Sequence, residues 1–387
     1  MRTLLLTDKF APHAGGTAVV WSEYCKRWPP ESVRVLTRWY PGCEDYDRRH
    51  AYSIVRLPYL NIPKIRMPLL WLRLFAGAVR ECRRHPPDLI HCGQILETGG
   101  YAHWINRRFG VPYMIHTYGE ELNNFGRKPR PRQRMQRILR GACGITTISN
   151  YSEDVLRRVV GYEGAVEIVN PGVDVEKFVP GDGGGIRRRL GLGDDPLLIT
   201  VSRLVRRKGH DRALEAIPII RRRIPNIRYL IIGIGPEELR LRHLVESAGF
   251  QNVVRFLGRV SDDELVSLLQ SADVFIHPNR ELENGDVEGF GIVFLEANAC
   301  GLPVIGGNSG GTPDAIQDGA TGFLVDPNSP DEIAEKTIML LQDEGLRRRM
   351  GEAGREWAAQ FTWEKAAQKV WDLSLRAVAG KNPIAIH

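Results

Sequence analysis

Short apolar runs, each followed by a longer amphipathic stretch, recur along the whole chain, and no other feature narrows its fold as much. Runs of four or five residues rich in Val, Ile and Leu read as strands buried on both faces. The stretches between them are long enough to be crossover helices, so the expected architecture is α/β with parallel sheets. Strand candidates in the first half are 3–7, 33–37, 54–57, 89–92, 113–117 and 145–149. A second set follows at 197–201, 228–232, 253–257, 274–277, 303–305 and 323–325. Between the sets, 180–185 is glycine-rich and poor in apolar residues, which reads as a linker and domain boundary. A length of 387 residues suits two cores of this kind.

Composition excludes several classes. With 43% apolar and 26% charged residues the chain has the make-up of a soluble globular protein. No run approaches the ~20 apolar residues needed to span a bilayer, and the opening residues are too short for a secretory signal. A cytoplasmic place is therefore expected. Six cysteines stand without a Cys-x-x-Cys or Cys/His grouping, so neither a disulfide framework nor a zinc site is indicated. The net charge of +7 is uneven: residues 1–150 carry 24 Lys/Arg against 11 Asp/Glu, leaving the remainder net acidic. The basic half calls for an anionic surface.

The richest local chemistry lies in residues 286–314. Glu288 and Glu296 stand eight apart around the start of an expected helix, 292–300, which Gly301 and Pro303 stop. Gly289 and Gly291 leave the entering backbone bare, and bare amides at a helix N-terminus form an anion site. Two carboxylates flanking such a site can accept from hydroxyls on either side of a phosphate, the layout of a nucleotide sugar. A solvated glutamate pair on a core helix is the plainer alternative. The first strand of the second set runs into Ser202-Arg203-Leu204-Val205-Arg206-Arg207-Lys208-Gly209, where Arg203 and Lys208 could hold a diphosphate. On its own such a run reads as a solvated surface.

Other segments carry weaker signals. Gly15-Gly16 follows the first strand, where open sheets bind ligands, and a helix is expected over 18–28. His116 ends a strand and could donate to a substrate oxygen, although a lone histidine is more often structural. Gly233-Ile234-Gly235-Pro236 lacks the third glycine of a dinucleotide fingerprint. Asp45-Tyr46-Asp47 reads as a surface loop and not as a metal ligand. Ser152 or Asn150 is available to cap the helix that opens there. Residues 63–85 mix Trp71, Leu72 and Phe75 with Arg73, Arg80, Arg83 and Arg84, which suits either an anionic lipid interface or a core-packed helix with a basic face. A second basic run, 127–140, has no acid and no aromatic interleaving, which favours lipid headgroups over nucleic acid.

Ser-Arg-Leu…Lys-Gly at 202–209, Gly-Arg-Val at 258–260, Glu288-Gly-Phe-Gly…Glu296-Ala…Cys-Gly-Leu-Pro-Val, Gly310-Gly311-Thr-Pro-Asp314 and Gly322-Phe-Leu-Val-Asp326 follow one another in the order and spacing of the retaining GT-B glycosyltransferases. The chain resembles family four of that class from end to end, and most closely the bacterial mannosyltransferases of phosphatidylinositol mannosides. That resemblance implies two Rossmann-like parallel-sheet domains facing a central cleft. It implies an acceptor-binding domain over 1–175, a nucleotide-sugar domain over 176–365, and a tail, 366–387, packing back on the first.

By motif, the resemblance gives Arg203 and Lys208 the diphosphate, and Arg259 and Val260 the base. Glu296 would take the ribose, and Glu288 with the amides of Phe290 and Gly291 the sugar and distal phosphate. Gly15 and Gly16 would let the first domain close over that phosphate, and His116 would touch the transferred sugar. Two departures fall on the acceptor side: Thr17-Ala18 stands where many relatives have an acid, and Thr117-Tyr118 precedes Gly119 where many have Gly directly after the histidine.

The reaction expected is transfer of a hexose from a nucleoside diphosphate sugar to a hydroxyl of a lipid-linked or glycan acceptor, with retention. No metal or other cofactor and no nucleic acid partner is expected. GDP-mannose is the favoured donor by resemblance, with UDP-glucose open, and an anionic membrane surface is a further candidate partner. Two rivals are a sugar-nucleotide epimerase of the same fold and a non-catalytic membrane-binding scaffold. The scaffold gives no physical reason to keep Arg203, Lys208, Glu288 and Glu296 in register.

Overall fold

A computed structural model describes residues 1–13, 15–58 and 66–380. The chain divides into two compact units: Met1–Pro171 together with the chain from Trp363 on, and Gly172–Thr362. The chain therefore crosses back at 362/363, three residues before the expected start of the tail.

Each unit is built on one parallel sheet. In the first, β1 (Thr3–Leu6), β2 (Val33–Arg38), β3 (Ser53–Leu57), β4 (Leu89–Cys92), β5 (Tyr113–Thr117), β6 (Gly144–Thr147) and β7 (Glu167–Ile168) lie in the order β3-β2-β1-β4-β5-β6-β7. In the second, β8 (Leu197–Val201), β9 (Arg228–Ile232), β10 (Val254–Gly258), β11 (Val274–His277), β12 (Val304–Gly307) and β13 (Gly322–Val325) lie in the order β10-β9-β8-β11-β12-β13. Every pairing is parallel, with Leu4 opposite Arg34 and Ile90, and Ile199 opposite Leu230 and Phe275. Central strands such as Leu4–Leu6 and Leu197–Thr200 are buried at every position, because helices cover both faces.

In both sheets the strand order reverses beside the first strand of the set, between β1 and β4 and between β8 and β11. Loops leaving such neighbours diverge to opposite faces and leave a crevice at the carboxyl edge, where open α/β sheets bind ligands. The candidate sites are found at those two edges.

The returning helix Trp363–Val378 is part of the first unit's core. Trp28 Nε1 donates to the Ala367 carbonyl at 2.9 Å, its ring lies 5.5 Å from that of Trp371, and Lys369 Nζ reaches the Ile168 carbonyl at 2.8 Å. Both basic stretches are helices with an apolar inner face. Arg66–Arg84 buries Leu70, Leu74, Ala78 and Cys82 and exposes Leu72, Arg80, Arg83 and Arg84; residues 63–65 lie outside the described residues. Pro129–Arg140 buries Met135, Ile138 and Leu139, with Arg130, Arg132, Arg134, Arg137 and Arg140 exposed.

Several local expectations are corrected. The glycine stretch 180–185 lies inside the second unit, not at its boundary, because a Cβ on Gly183 would stand 2.2 Å from the Ser271 backbone. Ser149, not Ser152 or Asn150, caps the helix Asn150–Val155, its hydroxyl accepting from the Ser152 amide at 3.1 Å. Asp45-Tyr46-Asp47 is helical, within Cys43–Arg48, and Asp47 pairs with the buried Arg56 guanidinium at 2.7 Å. Gly233 and Gly235 serve close packing: a Cβ on either would collide with the backbone of Ser202 or Leu204 at 1.9 or 2.3 Å.

Candidate functional sites at the carboxyl edges of the two sheets

β8 leaves the second sheet through Ser202 and Arg203 into a single 3-10 turn, Arg206–Lys208. Gly209 follows with φ +72°, and a Cβ there would stand 1.9 Å from the Pro278 carbonyl oxygen, so only glycine lets this turn lie against the end of β11. The turn aims Arg207 and Lys208 at the loop that carries Glu288. Lys208 Nζ hydrogen-bonds Glu288 Oε2, and Arg207 Nη1 reaches the same oxygen at 2.9 Å while its Nε pairs with Asp286 at 3.2 Å. These side chains are nearly enclosed, Arg207 at 12% and Glu288 at 13% exposure, so their attraction is screened little by solvent.

The loop is fixed from the other side as well. The Glu288 carbonyl accepts from the Gly311 amide at 2.9 Å, and Gly310, with φ +59°, could not carry a Cβ within 2.3 Å of that same oxygen. Burial alone would raise the Glu288 carboxyl, but Lys208 and Arg207 outweigh it and hold it well below the usual carboxylate range. Glu288 is therefore an anion at neutral pH. Beneath the pair, His277 is fully buried, with neither ring nitrogen bonded among the described residues, and burial first, then Lys208, keeps it neutral.

The helix Ile292–Ala299 starts at Gly291, whose φ of +98° and 2.5 Å approach of a Cβ to the Phe294 ring both require glycine. Phe290 is buried against Phe361 at 5.9 Å between ring centres. Among the described residues the amides of Phe290 and Gly291 donate to no protein group. With the helix dipole behind them they are free to bind an anion. Glu296 sits a turn into that helix, half-buried, its carboxyl pushed up to about 7 by burial. Arg203 and Arg259 are exposed, Val260 half-buried, and Arg203 joins no ion pair among the described residues. Of the expected donor-side residues, the structure thus joins Lys208 to Glu288 directly, while Arg203 makes no ion pair there but lies close enough for its charge to act on Lys208. Arg207 is the residue that sequence reasoning passed over; its signal was adjacency to Lys208 within one tight turn.

At the first sheet's edge, Gly15 precedes the helix Gly16–Arg27, and a Cβ on Gly16 would meet nothing within 4 Å, which leaves room for a close approach. His116, expected to touch the transferred sugar, packs deep at this edge. The residue is 3% exposed, its Nδ1 bonds Thr146 Oγ1 at 2.7 Å, its Nε2 bonds His91 Nδ1 at 3.0 Å, and Trp21 packs edge-on at 4.8 Å. Alternate residues of a strand face opposite sides, and residue 116 faces the helix layer, so both nitrogens are spent within the core. The crevice instead holds a cavity of about 160 Å³ lined in part by Asp8, Lys9, Gln94, Glu97, Tyr118 and Glu121. Asp8 accepts from Gln94 Nε2, and Glu121 accepts from the Ile95 amide at 2.7 Å. Burial pushes the Glu121 carboxyl up to about 8.

Among the described residues no three His, Cys, Asp or Glu side chains are grouped to hold a metal ion, and no helix is long and apolar enough to cross a membrane.

Comparison with known proteins supplies the family. Residues 14–177 match the family described as Glycosyltransferase Family 4, and residues 185–357 match Glycosyl transferases group 1. The GDP-mannose-dependent alpha-(1-6)-phosphatidylinositol monomannoside mannosyltransferase of Mycobacterium tuberculosis H37Rv is 35% identical over 382 residues, covering 96% of this chain and 97% of that one. The D-inositol 3-phosphate glycosyltransferase of Corynebacterium jeikeium is 32% identical, over 82% and 79% of the two chains. Among solved structures, Anabaena Alr3699/HepE in complex with UDP and glucose superposes with a TM-score of 0.82 at 20% identity, covering 96% of this chain and 98% of that one. Sucrose-phosphate synthase from Thermosynechococcus elongatus gives 0.82 at 22%, over 98% and 99%. Both share the two-sheet fold, and with matches across both units and a full-length relative at 35% identity, this chain belongs to the family 4 glycosyltransferases of GT-B fold.

Proposed function

We propose that the protein transfers mannose from GDP-mannose to a hydroxyl of a phosphatidylinositol-mannoside type glycolipid, with retention at the anomeric carbon and without a metal ion. The observation that carries this reading is the enclosed Lys208–Glu288–Arg207 cluster beside the free amides of Phe290 and Gly291. It offers the Lys208 ammonium and N–H donors to a diphosphate and a permanent carboxylate to sugar hydroxyls. The base and the acceptor rest on the full-length mannosyltransferase relatives.

In this reading Arg203, Lys208 and the helix amides stabilise the charge that grows on the leaving diphosphate, worth about 3–4 kcal/mol per well-placed donor. Glu296 takes the ribose, and Arg259 and Val260 flank the base. The acceptor hydroxyl attacks the face that the diphosphate leaves, and a leaving phosphate oxygen takes its proton. The exposed cations of Arg66–Arg84 and Pro129–Arg140 suit an anionic membrane surface that presents the lipid.

Thermal shift with GDP, UDP, GDP-mannose and UDP-glucose, each with and without EDTA, tests the donor, since a bound nucleotide stabilises by mass action. The expected result is a shift with GDP and GDP-mannose that EDTA leaves unchanged. NMR of the product should then show the donor's α configuration kept. An inverted anomer, or dependence on a divalent ion, would sink the corresponding part of the proposal.

A further inference from the structure

Arg207 and Lys208 are adjacent, both cationic, and both on one oxygen of Glu288. Their other contacts differ. Lys208 makes no ion pair besides Glu288 among the described residues, and its flexible stem can swing an ammonium elsewhere. Arg207 is tied to the loop 280–288 at three points: its carbonyl accepts from the Arg280 amide at 2.8 Å, its Nε pairs with Asp286 at 3.2 Å, and its Nη1 holds Glu288 at 2.9 Å. A planar guanidinium bridging two carboxylates is fixed in orientation in a way that an ammonium is not.

We infer that the two cations divide the work, Arg207 being the positioning residue that keeps Glu288 ionised and aimed while Lys208 leaves Glu288 to meet the diphosphate. This rests on the nucleotide-sugar reading above. Without Arg207, departure of Lys208 would leave a nearly enclosed carboxylate with no counter-charge, and Glu288 would either keep Lys208 from the diphosphate or take up a proton. With it, the carboxylate remains available to the hydroxyls of the transferred sugar throughout.

The test compares Arg207→Ala, Arg207→Lys and Lys208→Ala by calorimetric titration with GDP and with GDP-mannose, together with the pH dependence of kcat. If the wild type prefers UDP and UDP-glucose, those replace the guanosine pair. For Arg207→Ala we expect GDP affinity within about threefold of wild type and the wild-type preference for the sugar nucleotide over bare GDP abolished. Its kcat should fall by about 100-fold, with the acid limb moved toward neutral pH. Arg207→Lys should restore the acid limb in part, since it returns the charge without the bridge. Lys208→Ala should lose GDP itself. A wild type that binds no nucleotide sugar would overturn both this inference and the reading beneath it. A wild type that binds, with an Arg207→Ala variant that loses GDP as fully as Lys208→Ala, would overturn the division of labour alone. So would an Arg207→Ala variant whose sugar preference and acid limb are unchanged.

Discussion

The two sheets share a strand order that reverses at the same place, yet their carboxyl edges carry opposite chemistry. At the second, Lys208 and Arg207 converge on Glu288, Arg207 also holding Asp286, and bare amides stand nearby at a helix start. At the first, Asp8, Glu97 and Glu121 gather around a small cavity with one lysine, Lys9. On the proposed function the second edge takes an anion and the first takes hydroxyls, although the unit as a whole that holds the carboxylate pocket is the more basic of the two. Net charge describes the surface that a unit shows to its surroundings; it says little about the few enclosed groups that choose a ligand.

That contrast can be broken by exchanging which edge is damaged. Lys208→Ala should reduce GDP binding and mannose transfer by 100-fold or more, about 3–4 kcal/mol of lost stabilisation. Asp8→Asn should leave GDP binding within about twofold and slow transfer by roughly 10-fold, the scale of one lost hydrogen bond to a charged group. Equal loss of GDP binding in both variants would end the division between an anion edge and a hydroxyl edge.

Beneath their edges the two units are alike, and acid should expose the likeness. His91 is held down to about 3 and His210 to about 4, in each case first by burial. An unfolded histidine takes up its proton near pH 6.5, so the stability from burying these rings neutral is present above that pH. It is lost as pH falls toward the folded values. Each histidine should cost about 2 kcal/mol at pH 5 relative to pH 7. Melting temperatures measured across that range should fall for both units; a flat profile would contradict neutral burial.

Alkali should separate the units again. The Glu121 carboxyl is pushed up to about 8, so its stabilising contribution is complete below the unfolded value near 4.3 and lost as pH rises through 8. Glu121→Gln, which mimics the protonated form, should melt higher than wild type at pH 9 and much the same at pH 5. Circular dichroism melts at the two pH values would show whether the first edge carries this charge penalty.

Most of the fold was legible because its signal is local. Leu89–Cys92, Tyr113–Thr117, Leu197–Val201, Arg228–Ile232 and Val274–His277 are strands with the expected limits, each an apolar run that only burial on both faces explains. Elements whose limits depend on neighbours were less legible. Gly183 looks like a linker glycine until Ser271 is seen against it, and the packing need of Gly233 is visible only once the Ser202 carbonyl is placed beside it. The DxD of residues 45–47 lies in a helix, and its Asp47 pairs with Arg56, a neighbour only in the folded sheet.

By itself the sequence determined two parallel α/β cores and the family, and it singled out Lys208, Glu288 and Glu296 as candidates, since motif order and periodicity need no knowledge of distance. Tertiary structure alone decided that Arg207 shares Glu288 with Lys208, that Asp8, Glu97 and Glu121 converge on one cavity, and that His116 spends both nitrogens in the core. The reason is physical in each case: the charge state and partners of an enclosed polar group are set by what the fold places within about 4 Å of it, and that neighbour is usually remote along the chain.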